Sequence, residues 1–162
     1  MAHPNTGDGI GRTTSATFSR TTTVTISIKA SPEIIWALLT NTQDFPRWNS
    51  TIKSIDGSIQ AGSTIRLKTT LDEKRTFTLK VKSMQPPTLM IWKSGQAPFF
   101  AGVRTYSISR TAQGISVFAM TEKLSGLMFP MAASQIPDFR ESFERYAADL
   151  KREAEMIMNI KN

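Results

Sequence analysis

The sequence predicts an α+β domain in which a curved antiparallel sheet of about seven strands wraps around a long C-terminal helix. Three observations support this fold class. An alternating segment at residues 23–29 runs directly into two short apolar helical segments within 31–49. Strand-like segments then follow one another through residues 51–124, which favours antiparallel pairing. An apolar stripe with helical spacing occupies residues 139–157, and this helix is expected on the concave side of the sheet.

The segment 31–49 predicts two short helices after the first strand. Ser31 is suited to cap a helix, Pro32 fits the first turn, and Glu33 places a carboxylate near the positive end of the helix dipole. A second short helix is expected to begin at Asp44. A strand that leads straight into two short apolar helices is an uncommon arrangement, so this segment is the most specific indicator of the fold.

The middle of the chain contains two amphipathic strands with a basic outer face. Residues 62–70 and 75–83 alternate apolar and polar side chains. The basic residues on the outward side are Arg66, Lys68, Lys80 and Lys82. A solvated sheet face explains much of the net charge of +7. Because the chain has no Lys/Arg run and no nucleic-acid-binding motif, no nucleic-acid partner is expected.

Residues 103–110 and 115–124 predict a hairpin whose register can be derived. The connecting loop, residues 112–114, places Gly114 where a left-handed residue is wanted. The resulting interior pairs are Ile108 with Phe118, Tyr106 with Met120, and Arg104 with Glu122. A shift of one residue would turn all these large side chains to the other face, so the pattern supports this register.

A long helix is predicted beyond Pro137, after a loop or irregular turn at residues 126–137. Its apolar stripe consists of Phe139, Phe143, Tyr146, Ala147, Leu150, Ala154 and Ile157. About 20 residues at 1.5 Å each give a rod of roughly 30 Å, long enough to cross a whole sheet.

Composition excludes several classes of site. The chain has no cysteine, which rules out disulfides and thiolate metal sites. Its one histidine, His3, lies in a polar segment, residues 1–20, that is expected to be a flexible lead-in to a single domain at residues 21–160. We therefore expect neither a metal nor a cofactor. No apolar run reaches the roughly 20 residues of a spanning helix, and the first residues lack an apolar signal core, so a cytoplasmic protein is expected.

The order of elements resembles the helix-grip superfamily. The resemblance covers about residues 21–158 and includes EKLSGLMFP at 122–130 and FRESFERYAADLKREAE at 139–155. This superfamily includes START lipid-transfer domains, birch-pollen-allergen-like proteins and bacterial polyketide cyclase/dehydrase-like proteins, and the chain is most similar to the small members of the last group. The resemblance implies a pocket between the sheet and the long helix that binds an apolar ligand; it does not establish catalysis.

The candidate ligand-binding residues are side chains expected to face this pocket. They are Trp48, Phe77, Trp92, Arg104, Tyr106, Phe118, Met120, Glu122, Phe139 and Phe143. For each aromatic residue the alternative is a purely structural place in the core. Trp36 is expected to be buried, with Phe45 or Trp48 nearer the pocket opening.

Arg104 and Glu122 are the polar candidates in this set. Arg104 could bind a carboxylate or polarise a carbonyl, and Glu122 could act as an acid or a base. The alternative is a structural ion pair at the edge of the sheet.

Three functions remain open on the sequence alone. The first is binding of an apolar small molecule such as a lipid, a polyketide or an aromatic metabolite. The second is a cyclase or dehydratase without a metal, with Arg104, Tyr106 and Glu122 as its polar groups. The third is an interaction module that uses the basic sheet face. The apolar loops at 96–100 and 126–130 are expected to gate the pocket, to contact a membrane or to form a homodimer contact.

Overall fold

One antiparallel sheet and one long helix dominate the computed structural model, which describes residues 7–111 and 114–162. The elements are β1 (Arg12–Ala16), β2 (Ser19–Ile28), α1 (Pro32–Thr40), α2 (Phe45–Trp48), β3 (Ile52–Asp56), β4 (Thr64–Thr69), β5 (Phe77–Gln85), β6 (Leu89–Gln96), β7 (Phe100–Arg110), β8 (Ser116–Ser125), α3 (Phe129–Ala132), a 3₁₀ turn (Ala133–Gln135) and α4 (Arg140–Lys161). No helix within these ranges is long and apolar enough to cross a membrane.

The sheet has eight strands in the order β1-β2-β8-β7-β6-β5-β4-β3, and every pair is antiparallel. The predicted α+β helix-grip class is thus confirmed. The predicted hairpin register is also confirmed, since Ile108 pairs with Phe118 and Arg104 pairs with Glu122. Gly114 has a φ of 73°, as its turn position requires. The other two residues of that loop, Ala112 and Gln113, lie outside the described residues, as does His3.

Strand β1 corrects the prediction that residues 1–20 form only a lead-in. Residues 12–16 pair with β2 at the edge of the sheet, and the Thr13 and Thr22 hydroxyls lie 3.0 Å apart across the pair. The strand is polar and mostly exposed, so it shows no apolar alternation in the sequence. Threonine and serine suffice here because an edge strand needs ladder hydrogen bonds more than an apolar face.

The two short helices fill one half of the concave face of the sheet. The Ser31 hydroxyl accepts a hydrogen bond from the Ile34 amide at 3.4 Å and caps α1, as predicted. The buried face of α1 carries Ile35 and Leu39, which have no exposed surface. Trp36 is only half-buried, contrary to expectation, because its position on the helix turns it away from that face.

Helix α2 lies deep in the core, away from any opening. Phe45 is 1 % exposed and Trp48 is 3 % exposed, and their ring centroids are 4.8 Å apart. The expectation that one of them lies near the pocket opening is therefore wrong. Both rings pack against Tyr146 of α4, each at a centroid distance of 6.3 Å.

Buried carboxylates fix the second half of α4 to the segment around α2. The Asp149 carboxylate accepts hydrogen bonds from the Ser50 amide at 2.8 Å and from the Ser50 hydroxyl at 2.7 Å. Arg47 donates to Glu153 at 2.6 Å. Both carboxylates are less than 10 % exposed and satisfied by these partners, so they specify where α4 lies along the sheet. The helix stripe predicted from the sequence gave no sign of these contacts.

Substituting Leu150 by alanine tests the packing of α4 against the filled half. Leu150 has no exposed surface, so we expect Leu150→Ala to lower the free energy of unfolding by about 2–5 kcal/mol. Ile160→Ala on the same helix is the matched control, because Ile160 is 79 % exposed and its truncation should change stability by less than about 0.5 kcal/mol. Urea unfolding of both variants measures the difference. Equal effects would contradict the assigned helix orientation.

Candidate functional site

A cavity of about 310 Å³ lies between the first half of α4 and the concave face of the sheet. This volume falls within the range of small-molecule pockets. Its walls come from β3 to β8 and from the segment that leads into α4. The apolar lining residues are Ile52, Leu67, Leu71, Phe77, Leu79, Trp92, Phe100, Met120, Leu124, Ile136, Pro137, Phe139, Phe143 and Tyr146.

The cavity exists because the two halves of α4 face different surroundings. Leu150 and Ala154, further along the helix, pack with no exposed surface into the core that α1 completes. Phe139, which directly precedes α4, and Phe143, in its first turn, line the cavity. Tyr146 lies between the halves and forms the inner end of the cavity. Its ring stacks on Phe118 at a centroid distance of 6.3 Å.

The mouth of the cavity lies at the end of the sheet where the β4–β5 turn approaches the segment before α4. Leu71, Asp72 and Arg75 line it from the turn, and Gln135 and Pro137 line it from the opposite side. Four of these five residues are exposed and Asp72 is half-buried, so the cavity communicates with solvent here. The two charged side chains of this mouth have opposite signs.

An ion pair on the cavity wall is its most polar feature. Arg104 Nε lies 2.7 Å from Glu122 Oε2, with 17 % and 11 % of the two side chains exposed. The guanidinium also lies over the Phe143 ring, 5.4 Å from its centroid. The two residues form an ion pair, but they lie on the central strands β7 and β8 and not at the edge of the sheet, as the alternative had it. Both side chains line the cavity.

Burial and charge shift the pKa values around this pair. Desolvation by itself would lower the pKa of Arg104, but the Glu122 charge and the hydrogen bonds to Glu122 and Tyr106 together outweigh it; the pKa is raised, so the guanidinium stays charged. Burial raises the pKa of Tyr106, and the adjacent Arg104 partly opposes that shift. Burial also raises the pKa of Tyr146 well above its ordinary value.

Gly102 makes room for the polar wall and was not identified from the sequence. A Cβ atom at this position would lie 2.7 Å from Ser94 Oγ and 3.1 Å from Glu122 Oε1. Gly102 pairs with Ser94 and Leu124 on the neighbouring strands. Its backbone angles are ordinary, so no turn signal marks it. The glycine is required by the close approach of side chains from adjacent strands.

Seven of the ten candidate residues line the cavity. They are Phe77, Trp92, Arg104, Met120, Glu122, Phe139 and Phe143. The structure places Trp48, Tyr106 and Phe118 behind the lining, which corrects their predicted position. These three rings pack around Tyr146 in the filled half, each at a centroid distance of 6.3 Å. The inner-face alternation of β3, β4 and β5 could have identified further lining residues such as Ile52, Leu67 and Leu79.

The basic face lies outside the cavity, and of the two apolar loops only Phe100 contributes to its lining. Arg66, Lys68, Lys80 and Lys82 are all exposed. The loops meet at one end of the sheet, where the Leu127 amide donates to the Pro98 carbonyl at 2.9 Å. In residues 7–111 and 114–162, no group of three or more histidine or acidic side chains is arranged to hold a metal ion.

Residues 19–155 match the family model described as polyketide cyclase/dehydrase and lipid transport. A comparison with curated proteins found no significant match.

Solved structures resemble the chain over most of its length. A START superfamily protein from Mycobacterium smegmatis is 19 % identical, with a TM-score of 0.62 and coverage of 85 % of this chain and 98 % of that chain. A norcoclaurine synthase point mutant from Thalictrum flavum, in complex with a transition-state analogue, is 10 % identical, with a TM-score of 0.67 and coverage of 92 % and 100 %. A conserved protein of unknown function from Enterococcus faecalis is 15 % identical, with a TM-score of 0.64 and coverage of 91 % and 78 %. At these identities the likeness shows the fold alone.

Adding a methyl group at Gly102 should disturb the polar wall. The new Cβ atom must displace the Ser94 hydroxyl and the Glu122 carboxylate, so we expect Gly102→Ala to lower the free energy of unfolding by about 1–3 kcal/mol. Combining Gly102→Ala with Ser94→Ala removes the nearer clashing atom and should recover part of the lost free energy of unfolding. Urea unfolding of the two single variants and the double variant measures the coupling. Strictly additive effects would show that the two positions do not meet.

The two tyrosines of the chain should ionise only at unusually high pH. Tyr106 and Tyr146 are 1 % and 3 % exposed, and burial raises the pKa of both. An unfolded chain releases these protons near its ordinary pKa of about 10, whereas the native protein retains them. The free energy of unfolding should therefore fall as pH rises above about 10. Phenolate absorbance, followed with and without urea, measures this, and native titration near the ordinary value would contradict the assigned burial.

Proposed function

The chain belongs to the polyketide cyclase/dehydrase and lipid transport family, and we propose that it binds an apolar small molecule in the cavity between its sheet and α4. The observation that carries the proposal is the cavity itself, about 310 Å³ in volume, mostly apolar in its lining and open at one end. A lipid chain, a polyketide or an aromatic metabolite has the required size and surface.

The expected affinity follows from the apolar lining. A ligand that buries about 250 Å² of apolar surface gains about 6 kcal/mol from the transfer out of water, and the freedom lost on association lowers the net affinity below that figure. Leu67, Leu79 and Met120 supply aliphatic contacts, while Trp92 and Phe143 supply aromatic ones. Such walls select by size and apolarity, so specificity depends on the few polar groups among them.

A catalytic use of the same cavity is the second candidate, and the ion pair on its wall favours it. Cyclisation and dehydration require proton transfer next to a carbonyl group. Glu122 would exchange the proton and Arg104 would polarise the carbonyl. We place binding first because Arg104 already engages Glu122 at 2.7 Å and because Tyr106 is absent from the lining. Recovery of a bound molecule chemically unchanged after incubation supports binding, whereas its conversion supports catalysis.

Filling the cavity with one large side chain tests the proposed site. Ser142 lines the cavity from α4, so Ser142→Trp should occupy the ligand volume and weaken binding at least tenfold. The probe is N-phenylnaphthylamine, a neutral apolar fluorophore whose emission rises on leaving water. Ala148→Trp adds the same side chain to the exposed face of the same helix and should leave the Kd within about twofold.

Thermal unfolding of both tryptophan variants checks whether each remains folded. Equal binding of the fluorophore by folded Ser142→Trp and by the unchanged protein would place the ligand elsewhere and contradict the proposal.

A further inference from the structure

The polar wall of the cavity has hydrogen-bonding capacity that its own residues leave unused. Arg104 donates from Nε to Glu122, and its two terminal amino groups carry four further N–H donors. The adjacent Tyr106 hydroxyl can accept one or two of these at most. Within the described parts of the chain, at least two donors of this guanidinium are therefore left for a ligand. Its side chain is 17 % exposed and lines the cavity.

Glu122 offers an acceptor beside these donors. Its Oε2 atom accepts the bond from Arg104, whereas Oε1 accepts no hydrogen bond from any described residue. The bare backbone at Gly102 lets the carboxylate approach the strand closely, since a Cβ atom there would lie 3.1 Å from Oε1. The carboxylate also lines the cavity. The wall thus presents free donors and a free acceptor on two directly paired residues, which are opposite each other in register on β7 and β8.

The charge of the pair decides which ligand group fits. Arg104 and Glu122 neutralise each other at 2.7 Å, so the wall has no net charge to offer an anion. A ligand carboxylate would bring a second negative charge beside Glu122 in a desolvated site, where an uncompensated charge is costly. The two charged side chains at the mouth, Asp72 and Arg75, have opposite signs, so their formal charges sum to zero. A neutral hydroxyl avoids this cost, because it accepts from a guanidinium and donates to a carboxylate at once.

We propose that the ligand is an alcohol or a phenol whose hydroxyl group lies between Arg104 and Glu122, and that the site rejects a carboxylate on the same apolar body. This inference rests on the proposed function, since it assigns the buried end of the ligand in the same cavity. It excludes one of the two roles that the sequence left open for Arg104, the binding of a ligand carboxylate.

Three ligands built on an unbranched ten-carbon chain test this assignment. Decanol donates and accepts hydrogen bonds, decyl methyl ether only accepts, and decanoate is an anion at neutral pH. Each competes with N-phenylnaphthylamine for the unchanged protein. We expect decanol to bind at least tenfold more tightly than decanoate, with the ether weaker than decanol by several fold. Decanoate binding as tightly as decanol, or an ether equal to the alcohol, would overturn the assignment.

A charge variant makes the same test from the side of the protein. Glu122→Gln keeps the side-chain size but leaves Arg104 as an uncompensated cation, so the preference should shift at least tenfold towards decanoate. Glu141→Gln, on the exposed face of α4, is the control and should leave the ligand order unchanged. An unaltered order in folded Glu122→Gln would contradict the inference. If Glu122→Gln does not fold, the order measured for the unchanged protein still decides.

Failure of this inference is distinguishable from failure of the proposed function. If neither the fluorophore nor any of the three ligands binds, the cavity is not a binding site for apolar molecules and the proposed function fails. If all three bind with the wrong order, the cavity binds apolar tails and only the hydroxyl assignment fails.

Discussion

The packing of Tyr146, in the second turn of α4, separates a filled part of the concave face of the sheet from an open part. Its ring contacts Phe45, Trp48, Tyr106 and Phe118, each at a centroid distance of 6.3 Å. Beyond this aromatic cluster, α1 and α2 complete the core. On the other side α4 spans the sheet with no second layer beneath it, and the cavity results. The cavity is therefore present because α1 and α2 fill only part of the space between α4 and the sheet.

The ion pair places charged groups on one wall of an otherwise mostly apolar cavity. A paired charge inside a protein is costly to desolvate, and hydrophobic residues of similar size often stabilise a core equally well. Stability alone therefore explains Arg104 and Glu122 poorly, which is consistent with the ligand contact proposed for them. Gly102 is needed on this wall because a Cβ atom there would collide with the Ser94 hydroxyl and crowd the Glu122 carboxylate. In the proposed geometry, the ligand places its apolar tail against the apolar lining and a neutral polar group at the ion pair.

Local sequence patterns predicted the elements and the hairpin register well. The alternation around Tyr106 and Phe118 fixed which side chains face inward, and the stripe from Phe139 to Ile157 fixed the buried face of α4. What they could not predict was depth within the interior, because inward-facing residues are divided between core and cavity by tertiary packing alone. Trp48, Tyr106 and Phe118 face inward but lie in the filled half. Strand β1 had no apolar pattern to detect, and Gly102 depends on neighbours from two other strands.

The central claim is that ligand enters the open half of the interior and leaves the filled half unchanged. The three tryptophans report on these regions, because Trp92 lines the cavity while Trp36 lies on α1 and Trp48 lies on α2. Nuclear magnetic resonance of the ¹⁵N-labelled protein resolves their indole N–H signals during titration with decanol. The account predicts a saturable shift of the Trp92 signal with the Trp36 signal unmoved. A shift of Trp36 without Trp92, or no saturable shift of Trp92, would contradict it.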